Sequence, residues 1–98
     1  MIVRLVTMNF AEGNLDTFLT VFNKYKSRIR GSEGCEYLSL IQNTDNPNEI
    51  STLSHWTDEE SLNNYRNSKV FKEVWPQTKP LFTCPPKATS YQVVTIQS

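Results

Sequence analysis

The sequence predicts an α+β fold in the split βαβ order, and three observations carry that expectation. Runs rich in β-formers alternate with helical apolar spacing in the order β-α-β-β-α-β. Turn-forming residues fall between those runs and not within them. The strand runs are apolar at both parities, so both sheet faces call for cover.

Each element has its own signature. Ile2 to Phe10 has no breaker and reads as the first strand. Glu12-Gly13-Asn14 forms a turn, with Asn14 as the expected N-cap of a helix. Leu15, Phe18, Leu19, Phe22, Tyr25 and Ile29 then form one apolar stripe, which Gly31 and Gly34 end. Cys35 to Gln42 and Glu49 to Trp56 read as a hairpin joined by Asn43-Thr44-Asp45-Asn46-Pro47-Asn48. Thr57 to Glu60 reads as a capping box opening a helix that turns Leu62 and Tyr65 inward. Asn67-Ser68 marks a break, with Ser68 capping a second short helix through Phe71, Val74 and Trp75. Pro76 lacks an N–H and kinks this helix or ends it nearby. Cys84-Pro85-Pro86 lies in an extended connection, and Ala88 to Ile96 is the last strand.

Size and charge narrow the function classes. The 98 residues are expected to form a single domain spanning 1–98 with a thin core. Ten basic residues balance ten acidic ones, which leaves no electrostatic footprint for nucleic acid. Lys24, Lys26, Arg28 and Arg30 suit the C-terminal dipole of a solvated helix end. No run approaches a membrane span and no secretory signal is visible, so a cytoplasmic protein is expected. Cys35 and Cys84 are then expected as free, buried structural thiols, and with one histidine they make no convincing metal site.

The two-faced strands imply a partner. Ile2, Val6, Met8 and Phe10 oppose Val3 and Leu5; Tyr37 and Ile41 oppose Leu38 and Leu40; Tyr91 and Val93 oppose Val94 and Ile96. Two helical segments cover one face only. A second copy packing sheet to sheet covers the other, which predicts a homodimer. Arg4, Thr7, Asn9, Ser39 and Thr95 leave open the alternative of a merely mixed face.

Several segments in this order resemble the antibiotic biosynthesis monooxygenase family. They are Met-Ile-Val-Arg-Leu-Val at the start, the Phe18 helix, Glu33-Gly34-Cys35, His55 to Leu62, and Tyr65 to Glu73. The resemblance covers nearly the whole chain and implies a ferredoxin-like antiparallel sheet with helices on one face, paired into a dimeric α+β barrel. It speaks to the fold more than to the reaction. Such families hold cofactor-free quinol or anthrone oxygenases, haem-degrading oxygenases and an isomerase. The stretch from Asn63 to Glu73 is most similar to the haem-degrading branch. That branch uses a proximal His, a Trp against the porphyrin and a distal Asn. The matching positions here hold Trp75, Tyr65 and Val6. An indole nitrogen is a donor only and ligates no iron, so haem degradation is disfavoured.

The resemblance therefore implies a cofactor-independent monooxygenase acting on a small aromatic or quinol-like compound. The alternatives are a non-catalytic dimer that binds a small ligand and an isomerase on the same scaffold. No cofactor or metal motif is present. The catalytic candidates are His55, whose ordinary pKa lies nearest neutrality, and Tyr65. The substrate-binding candidates are Trp75, Asn64 and Phe71, in an apolar cavity between sheet and helices with His55 in reach. A packed histidine and plain core aromatics are the structural alternatives. Arg4 is expected in a structural ion pair, which could lie across the dimer, with contact to an anionic substrate as the alternative.

Overall fold

Four strands and three helices follow the expected order in the computed structural model, which describes residues 1–97. β1 is Ile2–Asn9, α1 Asn14–Arg30, β2 Cys35–Gln42, β3 Glu49–Trp56, α2 Glu59–Arg66, α3 Lys69–Thr78 and β4 Lys87–Gln92. A 3-10 turn, Lys79–Leu81, follows α3. The sheet order is β2-β3-β1-β4 with every pairing antiparallel, the ferredoxin-like arrangement.

Strand parity decides what faces what. Arg4 pairs with Ser54, Val6 with Thr52 and Met8 with Ile50, and this set lies under the helices. The residues between them turn to the other face: Val3 opposite His55, Leu5 opposite Leu53, Thr7 opposite Ser51. β2 keeps the same rule through an irregularity at Glu36, so Leu38 and Leu40 face the helices while Tyr37 lies beside His55. Tyr37, Ile41 and Tyr91 remain exposed on the uncovered face.

The core is split into three small groups. Phe10, Phe18, Met8 and Ile50 close one end. Tyr25, Ile29 and Val70 join α1 to α3. Cys35, Trp56 and Leu62 close the other end, where Trp56 is only 1% exposed and donates from Nε1 to Ser54 Oγ at 2.9 Å. Space between these groups forms the cavity described below.

Local chemistry differs from the sequence reading at several ends. Gly13, not Asn14, is the residue before α1; its φ of +87° lets the chain turn without a side-chain cap, while Asn14 Nδ2 donates to the Leu81 carbonyl. Asp58, not Thr57, caps α2, accepting from the Ser61 amide at 2.8 Å. That amide holds the Asp58 carboxyl below its usual range. Thr57 donates from Oγ1 to the Gly34 carbonyl instead. Ser68 caps α3 as expected, accepting from the Phe71 amide. Pro76 sits within α3, two residues before its end.

β1 ends at Asn9, and Phe10 makes an isolated bridge to Phe82. β4 ends at Gln92, four residues short of the expected Ile96. Its partner β1 runs out at Ile2, so only the Val93 amide finds a further acceptor, the Met1 carbonyl. Val94 and Ile96 are then 94% and 74% exposed. Cys35 is buried as expected, but Cys84 is exposed because its Pro-rich connection runs over the surface. The α1 end is solvated, with Arg28 bridging to Glu73 of α3 at 2.7 Å.

Candidate functional site

The cavity lies between the helix-facing side of the sheet and the helices, with a volume of about 630 Å³. That is within the range of small-molecule sites, about 300–1,000 Å³. Its floor is β1 and β3, whose parity points Val6, Met8 and Thr52 upward. Phe18 and Phe22, one helical turn apart on α1, close one flank. The roof is the broken helix pair. Ser68 separates α2 from α3, so Tyr65 and Trp75 reach the cavity from two separate helices.

Aromatic rings make a continuous wall. Trp56 stacks on Tyr65 with centroids 5.0 Å apart. Tyr65 meets the edge of Phe71 at 5.4 Å, and Phe71 lies parallel to Trp75 at 5.9 Å and 9°. Such faces receive a flat apolar molecule by stacking and burial. The charged and amide side chains of the lining are Arg4 from β1, with Asn63, Arg66 and Asn67 from α2 and its cap.

The sequence candidates separate into two groups. Tyr65, Phe71 and Trp75 line the cavity. His55 does not. Its odd position in β3 puts it on the uncovered face, with its ring 4.8 Å from Tyr37, so the expectation that it reaches the cavity is corrected. Asn64 is also corrected: it is exposed and outside the lining, while Asn63 and Asn67, one turn apart, border the cavity. Within one chain Arg4 makes no ion pair among the described residues. Its Nη1 donates to Ser90 Oγ at 2.8 Å, and the one ion pair among the described residues is Arg28–Glu73.

Sequence reasoning passed over Trp56, Arg66 and Asn63. The signal for Trp56 was present in strand alternation, since neighbouring residues face opposite sides and His55 and Trp56 cannot share a site. Arg66 and Asn63 needed the helical phase of α2, which the i, i+3 spacing from Leu62 to Tyr65 sets on the inner face.

The electrostatics of the lining are simple. Its titratable side chains are Arg4, Tyr65 and Arg66, with no carboxylate, imidazole or amine among the described residues. Burial first, and the charge Cys35 would carry second, push the Tyr65 phenol up to about 12. Tyr65 therefore offers a proton donor at neutral pH. Burial first, and the cationic Arg66 second, lower Arg4 from its usual value. No group of three or more His, Cys, Asp or Glu side chains that could hold a metal occurs among the described residues.

The sequence model of one family, antibiotic biosynthesis monooxygenase, matches residues 1–76. The chain belongs to the antibiotic biosynthesis monooxygenase family. Solved structures of this shape are numerous. A conserved protein from Methanosarcina mazei Go1 is 22% identical, with a TM-score of 0.88 over 94% of this chain and 92% of that one. A protein from Mycobacterium tuberculosis is 15% identical, with a TM-score of 0.90 over 99% and 98%. An antibiotic biosynthesis monooxygenase is 14% identical, with a TM-score of 0.89 over 97% and 100%. These likenesses establish the fold. No curated protein matches the sequence.

The imidazole ligand of the haem-degrading branch has no counterpart in this cavity. Val6, Tyr65 and Trp75 all border the cavity, yet no imidazole does, because His55 is on the far side of the sheet. No helix among the described residues is long and apolar enough to cross a membrane.

Proposed function

We propose that this protein is a cofactor-independent monooxygenase of a small aromatic or quinol-like substrate, working as a cytoplasmic homodimer of a single-domain chain. The observation that carries the reading is the aromatic cavity with one protonated phenol and two cations in its lining. Trp56, Phe71 and Trp75 hold the flat body. Tyr65 donates a hydrogen bond to a substrate oxygen, and the positive field of Arg4 and Arg66 favours the substrate's anionic form. The lining holds no general base, so the substrate's proton leaves to solvent at the open, polar end. The anion passes one electron to dioxygen. Radical and superoxide then join at carbon, and loss of water turns a CH₂ centre into a carbonyl, with O₂ supplying one oxygen to product and one to water.

Oxygen uptake by the metal-free protein with a panel of anthrones and quinols tests this. Uptake with one oxygen incorporated is expected, and Tyr65→Phe should lower turnover. Binding of the same compounds without uptake moves the function to the second reading, a small-ligand-binding dimer, which the lack of a base favours. The isomerase reading is weaker, since it needs a group to carry a proton between two substrate positions.

The homodimer rests on the uncovered face, where Val3, Leu5, Leu53, Tyr37, Ile41 and Tyr91 lie together. Face-to-face packing of two such sheets would bury an obligate-type interface of about 2,000 Å² or more.

A further inference from the structure

The two arginines at the cavity's open end have no carboxylate partner among the described residues. Arg4 projects from the third position of β1 toward the helices and is partly buried. One of its donors goes to the neutral Ser90 hydroxyl. Arg66, on the last turn of α2, is close enough that its charge bears on Arg4. No carboxylate among the described residues stands within ion-pair distance of either. A smaller cavity of about 330 Å³ begins where the large one ends, and both are bordered by Arg4, Asn63 and Arg66. Glu59 borders that outer cavity, but it sits two helical turns from Arg66, about 10 Å along the axis. The guanidinium pair thus stands at the junction of an apolar chamber and a solvated one.

Two like charges held together, one of them partly desolvated, raise the energy of the empty site. An anion between them removes that repulsion, and a planar carboxylate matches the guanidinium fork. We propose that Arg4 and Arg66 form an anion subsite and that the substrate is a flat aromatic acid. Its ring system lies on Trp56, Phe71 and Trp75, and its carboxylate sits between the guanidinium groups. Asn63 borders the same space and can donate to the second carboxylate oxygen. This deepens the oxygenase reading and rests on that reading's use of the cavity.

The test compares binding of anthraquinone-2-carboxylate and its neutral carboxamide, followed by tryptophan quenching and calorimetry. The acid should bind about tenfold or more tighter, the strength of charge-assisted hydrogen bonds. Arg66→Gln should erase that preference by weakening acid binding more than carboxamide binding, while Arg66→Lys restores part of it. Arg66 is exposed, so its variants keep the fold, which circular dichroism checks. Arg4→Gln should act in the same direction. Equal binding of the two probes, binding of neither, or a preference unmoved by Arg66→Gln overturns the subsite. So does a change in dimer dissociation with the preference intact, which would assign the arginines to the subunit contact. Failure of the oxygenase reading gives a different result: the acid preference persists, but anthrone carboxylates consume no oxygen.

Discussion

At the scale of single residues, Gly34 is the position with least freedom. Its φ is +83°, and a Cβ there would run into the Ser61 side chain. Its carbonyl also accepts from the Thr57 amide at 2.8 Å, so the loop cannot retreat. Gly34→Ala should cost more than about 1 kcal/mol, the usual penalty where φ is positive, measured by urea unfolding. Tyr65 makes a pH-dependent prediction. Its phenol keeps a proton in the folded chain up to about 12, against 10.0 when unfolded. Between those values the unfolded chain binds fewer protons, so stability falls as pH rises. The contribution is complete below pH 10 and lost through pH 12, roughly 2–3 kcal/mol in all. Denaturation curves for Tyr65→Phe should lack that part of the slope. Residue identities pointed to Tyr65, Phe71 and Trp75, all three of which border the cavity. They misplaced His55 because chemical reactivity was weighed above strand parity, and parity alone decides which face a strand residue meets.

At the scale of elements, the break between α2 and α3 shapes the site. Ser68 serves both sides of it: its hydroxyl donates to the Tyr65 carbonyl at the end of α2 and accepts from the Phe71 amide at the start of α3. Ser68→Ala should destabilise by about 1 kcal/mol and also loosen the Tyr65–Phe71 contact. The first effect is read in thermal unfolding, the second in weaker ligand binding. This break was legible, because Asn67-Ser68 interrupts an apolar pattern that resumes in a new phase. The α2 cap was legible only to within one residue. Thr57 and Asp58 are both good caps, and the choice between them turned on Gly34, which is distant in sequence and claims Thr57. The end of β4 could not be read at all from its own residues. Val93 to Ile96 are good strand formers, but a strand needs a neighbour, and β1 has already ended.

At the scale of the whole molecule, the uncovered sheet face is where the proposed dimer would form. Leu53 lies at its centre, between Leu5 and Ser39. Leu53→Asp should convert a dimer to monomer in light scattering, because a carboxylate there would be buried without a partner. A wild-type mass equal to one chain at micromolar concentration would defeat the assembly itself. The two-faced strand pattern made this face visible in advance, since alternation fixes both sides of a sheet at once. The cavity was less visible. Apolar positions on helix and strand say that surfaces meet, but not whether they meet completely.

Incomplete meeting has a thermodynamic consequence. A 98-residue chain that leaves a cleft of about 630 Å³ between sheet and helices forgoes contacts that would otherwise hold its three core groups together. A bound ligand would supply them. The physiological compound should therefore act as a removable part of the core, raising the melting temperature as it binds. At a hundred times its dissociation constant it would add about 2.7 kcal/mol, a rise of several degrees for a domain this small. A library of flat aromatic compounds screened by melting temperature would rank candidates without any assumption about the reaction, and the protein's own stability would name the molecule it was shaped around.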